Sequence, residues 1–277
     1  MKRYAGQSRQ RQPSNINGQN FNGRFFTGDK WAITHTMNRL KENRTELVCI
    51  VGDTGTGKSY IGLQYANEVE KRFNRTFTAD HVVFNTLDFM KLVNSDSLPK
   101  GSVILYDDAG LGISSKQWWE EEVKVFGRVI QSYRYKQIIT VITVPDISFI
   151  VKEARVLLSL LLQTDPRVQG IVYPKLPIKP RNYSLERSRV YYGFPRVIYN
   201  GVKYKIDMLK FDLPPSNLIA DYEAKKESHI RAYYAGFEKE LEKREKKRNL
   251  GHKKNMSPNQ LANLKQNKIR QLSNQEP

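Results

Sequence analysis

The chain has 277 residues, enough for one good-sized α/β domain with appendages. Its 46 Lys and Arg against 28 Asp and Glu leave a formal charge of +18, a balance that favours a polyanionic partner such as DNA, RNA or an acidic membrane face. The lone cysteine, Cys49, excludes an internal disulfide, and the most apolar run, Val156 to Leu162, is too short to span a bilayer.

Residues 1–24 are rich in Gln, Asn, Arg and Gly with almost no apolar content, and are expected as a disordered basic arm. Trp31 to Asn43 has partial helical spacing of apolar residues. Leu47–Val51 is an apolar run that reads as a strand, and Tyr60 to Val69 reads as a helix. Between them lies Gly52-Asp53-Thr54-Gly55-Thr56-Gly57-Lys58-Ser59, which is G-x-x-x-x-G-K-[ST]. Strand, glycine loop and helix together form the context in which this pattern binds phosphate. His81–Phe84 is expected as a second strand, Asp88–Val93 as a helix and Val103–Tyr106 as a buried third strand. Ser114 and Gln117 are placed as a capping box for a long helix from about Lys116 to Lys136. Ile138–Val144 follows as a fourth strand and Val151–Leu160 as another helix. Such alternation predicts an α/β fold with a parallel sheet covered on both faces. Beyond residue 180 the pattern changes. Arg196 to Ile206 is a hairpin signal with Asn200-Gly201 at the turn, and Leu218 to Lys247 reads as a long charged helix. The expected organisation is a basic arm over 1–24, a P-loop core over 25–180, a hairpin and helix over 181–247, and a basic tail over 248–277.

Each residue type in the glycine loop has a physical task. Glycines let backbone N–H groups curl around phosphate oxygens, and the new helix aims its positive end at the same anion. Lys58 is expected at the β- and γ-phosphates and Ser59 at Mg²⁺, with Tyr60 completing the nucleotide-binding segment. Val103-Ile104-Leu105-Tyr106-Asp107-Asp108 is the Walker B pattern, in which a buried strand delivers a carboxylate to the metal. Asp107 is assigned to Mg²⁺ and Asp108 to the attacking water. Thr143, at the end of the fourth strand, is the sensor candidate, and Thr140 is the second choice. Arg155, one helix further on, is the first candidate for an arginine finger and Arg134 the second. Asp107-Asp108-Ala109-Gly110 also fits the D-x-x-G switch of GTPases, but the sequence has no [NT]-K-x-D segment to read guanine.

Taken together, these segments resemble the FtsK–HerA superfamily of DNA-pumping ATPases. They look most like its small genome-packaging and plasmid-transfer members from viruses and mobile elements, with the zonula occludens toxin-like ATPases close by. The resemblance is carried by Gly52–Ser59, Val82-Val83-Phe84 with Asp88-Phe89, Gly101-Ser102 leading to Asp107-Asp108, Leu111–Ser115 with Trp118, and Val144-Pro145-Asp146 running to Ala154-Arg155. It covers roughly residues 45–165. Two departures stand out: that superfamily usually has Glu where Asp108 stands, and many members have Gln where Thr143 stands. The resemblance implies a RecA-like core, ATP and Mg²⁺ as cofactors, and a hexameric ring threading DNA, in the cytoplasm or with a viral particle and its assembly proteins.

Residues 181–205 interleave Arg181, Arg187, Arg189, Arg196, Lys203 and Lys205 with Tyr183, Tyr191, Tyr192, Tyr199 and Tyr204. Cations for phosphates beside rings for bases is the pattern of single-strand binders. The loop Gly110–Ser115 is a second candidate contact. The expected function is an oligomeric, Mg²⁺-dependent ATPase acting on DNA. One alternative is an ATPase that drives particle assembly or export through protein or membrane partners; another is a GTP-dependent switch.

Overall fold

The structure, a computed structural model, describes residues 20–21, 24–28, 30–95, 97–108, 128–129, 133–150, 152–178, 190–199 and 202–254. The loop Gly110–Ser115, Trp118, most of the helix expected after it, Arg181, Tyr183, Arg187, Arg189 and the tail beyond 254 lie outside those residues.

In chain order the elements are β1 (Asn20–Phe21), β2 (Arg24–Gly28), α1 (Lys30–Lys41), β3 (Glu46–Val51), α2 (Lys58–Lys71), β4 (Val82–Val83), α3 (Thr86–Asn94), β5 (Val103–Tyr106), β6 (Ile139–Val144), α4 (Lys152–Arg155), β7 (Leu160–Thr164), β8 (Ile171–Ile178), β9 (Tyr191–Gly193), β10 (Arg196–Tyr199), β11 (Val202–Lys210) and α5 (Ser216–Lys254). The chain divides into two compact units, up to Glu223 and from Ala224 onward. In the second unit, α5 leaves Ile230, Tyr233, Tyr234, Phe237 and Leu241 exposed along its length.

The first unit is built on one mixed sheet of order β1-β2-β11-β8-β7-β3-β6-β5-β4. Its centre, β4-β5-β6-β3-β7, is parallel throughout. Beyond β7 the sheet turns antiparallel with β8 and β11, and β11 then pairs in parallel with β2. The continuous apolar runs of the central strands follow from burial on both faces. Val48 and Ile50 of β3, Leu105 of β5 and Val141 of β6 pack with Ile61, Leu63 and Ala66 of α2. The alternate residues Leu47, Cys49, Ile104 and Ile142 pack with Phe89 and Val93 of α3 and with Ala154 of α4. Burial pushes the Cys49 thiol up, far from the thiolate range, as suits a core residue.

Several sequence expectations need correction. The helix expected over Val151–Leu160 is a single turn, Lys152–Arg155, and Leu160–Thr164 is a strand that pairs with β3. Leucines one after another favour neither period, and burial of Leu160 and Leu162 on one face with Leu161 on the other decides for the strand. The expected arm over 1–24 overlaps β1 and the first residue of β2; β1 pairs with β2, and β2 in turn finds its partner in sequence-distant β11. The helix expected to end at Lys247 continues to Lys254, into the expected tail. Of the long helix expected to end at Lys136, residues Tyr133–Lys136 form a 3₁₀ turn. The strands expected on either side of Asn200-Gly201 pair antiparallel, with Tyr199 opposite Val202 and Arg196 opposite Lys205, while Asn200 and Gly201 themselves lie outside the described residues.

Candidate nucleotide-binding site

The sheet topology brings the sequence motifs to one edge. The P-loop leaves the carboxyl end of β3, Asp107 and Asp108 follow β5, and Thr143 lies near the end of β6, which separates those two strands. In open α/β sheets this edge is where ligands bind.

The loop is shaped by two glycines in particular. Gly57 has φ 82° and caps α2, a left-handed conformation that a side chain adopts only under strain. At Gly52 a Cβ would stand 1.8 Å from Thr164 Oγ1. That close approach belongs to a network: Thr164 Oγ1 lies 3.2 Å from the Val51 carbonyl and donates to Thr56 Oγ1 at 2.9 Å. Thr56 in turn donates to the Asp53 carbonyl at 2.8 Å. Thr164, on β7, thus braces the loop from behind. Its role was invisible in the sequence because 108 residues separate the partners. The outer turn, Asp53-Thr54-Gly55, is exposed. Around the position of a Cβ on Gly55 or Gly57, no atom of the described residues lies within 4 Å, the chain neighbours aside. That open cradle, with α2 starting behind it, fits a phosphate group. Lys58 is buried and donates from Nζ to the Asp53 carbonyl at 2.8 Å, across the same loop. Ser59 and Tyr60 follow on the first turn of α2, both half-buried.

The acid after β5 is more tightly held than any motif implies. Asp107 is fully buried, and its backbone N–H donates to the Val83 carbonyl at 2.9 Å. Thr143 Oγ1 donates to Asp107 Oδ1 at 2.8 Å and accepts from the Asp108 N–H at 2.7 Å. Tyr222 Oη donates to Asp107 Oδ2 at 2.6 Å. Both carboxylate oxygens therefore have a fixed donor. Asp108 has φ 49°, a left-handed conformation that Asp tolerates better than most residues. Its bond to Thr143 holds that unusual backbone in place. Thr140, the other sensor candidate, is buried near the amino end of β6, away from the edge that carries the loop.

Among the described residues, no three His, Cys, Asp or Glu side chains cluster to hold a metal. The donors that fit Mg²⁺ are the Asp107 carboxylate and the Ser59 hydroxyl. With so few protein ligands, the ion would take its remaining oxygens from nucleotide phosphates and water, as this small, reluctantly dehydrated cation does.

Arg155, the first arginine candidate, is bonded to the turn after β6, whose Pro145 carbonyl accepts from the Gly52 N–H at 3.2 Å. Arg155 Nε donates to the Ile150 carbonyl at 2.6 Å, and its Nη2 donates to the Ser148 carbonyl at 3.2 Å. The guanidinium thus braces the turn that follows β6. Asp146 opens that turn. Hydrogen bonds from Ser148 hold its carboxyl below the usual range, with a smaller contribution from the Arg155 charge. Arg134 belongs to the 3₁₀ turn Tyr133–Lys136.

No protein-family model matches the chain. It is 29% identical over 137 residues to the uncharacterized protein B-251 of Sulfolobus spindle-shape virus 1, a match that covers 44% of this chain and 53% of that protein. The chain thus spans about half the length of the curated relative it matches. Among solved structures it is similar to the N-terminal domain of zonular occludens toxin from Neisseria meningitidis, with a TM-score of 0.30 and 11% identity, over 54% of this chain and 94% of that one. It is also similar to ATPases 2 and 3 of EssC from Geobacillus thermodenitrificans, with a TM-score of 0.32 and 10% identity, over 70% of this chain and 45% of that one. Both structural likenesses are distant.

Proposed function

We propose that the chain is a Mg²⁺-dependent ATPase that works on DNA as an oligomer, with a hexameric ring as the expected assembly. One observation carries the nucleotide part. The glycine loop with its buried lysine and the buried, doubly bonded Asp107 come from strands separated by β6, yet meet at one sheet edge. A cradle for phosphates beside an acid for their metal is the equipment of phosphoryl transfer. In this reading Asp108, beside that acid, orients the attacking water. ATP is preferred over GTP because the sequence lacks a guanine-reading segment.

The DNA part is supported by the outer face of β10 and β11. Residues opposite one another in an antiparallel pair share a face, so Arg196, Ile198, Lys203 and Lys205 line up together, and all four are exposed. The Lys205 ammonium sits 4.1 Å from the ring centroid of Phe194, itself exposed, and the Lys175 ammonium lies 6.0 Å from the same ring. Exposed Tyr191 and Ile178 face each other on β9 and β8. Cations interleaved with exposed rings suit a strand of nucleic acid.

The test is hydrolysis of ATP and GTP with and without Mg²⁺, and then with single- or double-stranded DNA added. Mg²⁺-dependent ATP turnover stimulated by DNA is expected. Binding to DNA should fall roughly 10³-fold or more between low and moderate salt if several phosphates are contacted. Turnover indifferent to DNA would favour the particle-assembly alternative, and faster GTP turnover would favour a GTP-dependent switch.

A further inference from the structure

Tyr222 is not part of any nucleotide-binding motif, and it lies 115 residues from Asp107 in the chain. It is 1% exposed. Its ring is held between Tyr60, at 6.4 Å between centroids and nearly edge-on, and Phe84, also at 6.4 Å. Tyr60 is the residue after the P-loop serine, and its hydroxyl donates to Glu223 Oε1 at 3.0 Å. Phe84 follows β4, whose Val83 carbonyl accepts from the Asp107 backbone. The first turns of α5 are therefore fastened to the P-loop helix and to the strand beside the acid. A phenol fixed on these sides delivers its proton to one point, Asp107 Oδ2.

A buried carboxylate that prepares a metal site needs its orientation set by neighbours, because a freely turning group points its lone pairs at the ion only part of the time. Thr143 sets Oδ1 and Tyr222 sets Oδ2. Resting on the ATPase reading above, we propose that Tyr222 is a positioning residue for the metal-binding acid, which makes the start of α5 a working part of the Mg²⁺–nucleotide site. The hydroxyl does not touch nucleotide; it acts through Asp107. Each carboxylate oxygen has a second lone pair, so a donor from Tyr222 and a metal-bound water can be accepted together.

The experiment compares wild type with Tyr222→Phe, which keeps the ring and its packing while removing the donor. Binding of a fluorescent ATP analogue is measured by titrating Mg²⁺ at fixed nucleotide, and again in EDTA. The expected result is a rise of about tenfold in the half-saturating Mg²⁺ concentration, the size typical of losing a partner of a metal ligand. Nucleotide affinity in EDTA should stay the same. Thr143→Val, which releases the other oxygen, should raise the Mg²⁺ requirement in the same direction. Glu223→Ala removes a neighbouring contact of the same helix without touching Asp107, and should leave the Mg²⁺ requirement at the wild-type value. If Tyr222→Phe matches wild type, or needs less Mg²⁺, the proposal is overturned; the second outcome would mean that the hydroxyl covers the acid. If both affinities fall together in Tyr222→Phe and in Glu223→Ala, α5 matters only as packing, and the proposal also fails. A wild-type protein that binds the analogue with no Mg²⁺ dependence would instead remove the ATPase reading, a result separable from any behaviour of the variant.

Discussion

Asp108 combines two properties that a substitution can separate. Its backbone lies in a left-handed conformation, and its carboxylate is the candidate for orienting water. Asn tolerates that conformation as Asp does, so Asp108→Asn leaves the turn intact and removes only the charge. ATP should still bind, while turnover falls on the order of 10²-fold or more, as for other catalytic acids and bases. Lys58→Ala should behave differently and weaken binding and turnover together, because a lysine at the phosphates would serve the ground state as well. Single-turnover measurements beside nucleotide binding distinguish the two patterns, and a fully active Asp108→Asn protein removes Asp108 from the chemistry. Gly52 offers a third residue-scale test. The contact of 1.8 Å to Thr164 Oγ1 means that Gly52→Ala must displace either the loop or Thr164. Nucleotide affinity is expected to drop about tenfold or more, since a small misplacement of positioned groups is enough for that. Adding Thr164→Ser, which keeps the hydroxyl but sheds the methyl carbon, should recover little. The clash is with the oxygen itself, and recovery to wild-type affinity would count against this account.

At the scale of elements, α1 and β3 are locked by a polar cluster beneath the sheet. Glu46 has a fully buried side chain, ion-paired with Arg39 and hydrogen-bonded by Thr36, whose hydroxyl also meets Tyr65. Burial raises the Glu46 carboxyl above its ordinary range despite the Arg39 charge. On the same helix His35 stacks on Trp31 and is lowered to about 4, first by burial and then by Arg39. The unfolded imidazole takes its proton near pH 6.5 and the folded one only near 4. The His35 contribution to stability is therefore complete above pH 6.5 and is lost as pH falls toward 4. Glu46 works in the opposite sense, because its raised folded value favours the folded state as pH falls. His35→Gln should isolate the first effect: denaturant unfolding between pH 7 and 4.5 should lose about 2 kcal/mol less in the variant than in wild type. Equal losses would place the pH dependence elsewhere. These same elements show what a sequence discloses. Periodicity and the glycine loop were enough to find β3, α2, β5 and β6, because each is a local pattern. The β7 strand was hidden in a leucine run without a period, and β1 and β2, of 2 and 5 residues, are too short to show one. At the site, Lys58, Asp107 and Asp108 announce themselves by spacing. Thr164 and Tyr222 do not, since each acts on a residue more than a hundred positions away and belongs to no local signature.

At the scale of the whole molecule, the proposed ring would build each site from two chains. Arg155 is the first finger candidate, and in the isolated chain its guanidinium is engaged with the carbonyls of Ile150 and Ser148. To reach a neighbour's γ-phosphate it would exchange these two bonds for charge-assisted ones to phosphate, an exchange that favours the phosphate. Loss of activity in Arg155→Ala alone has two explanations, a missing finger or a loosened turn after β6. Mixing two inactive proteins tells them apart. In a mixed oligomer an Arg155→Ala subunit keeps an intact P-loop and can receive Arg155 from a Lys58→Ala neighbour, so turnover should partly return. A loosened turn cannot be repaired by a neighbour, so that mixture would stay inactive, and Arg134→Ala would be tried in the same way. The accompanying expectation is that ATPase rate per subunit rises with protein concentration, since a site shared between subunits exists only once they assemble. A rate per subunit that is full and constant at every concentration, in a protein that sediments as a monomer with ATP and DNA present, would mean that each chain carries a complete site and that no ring is needed.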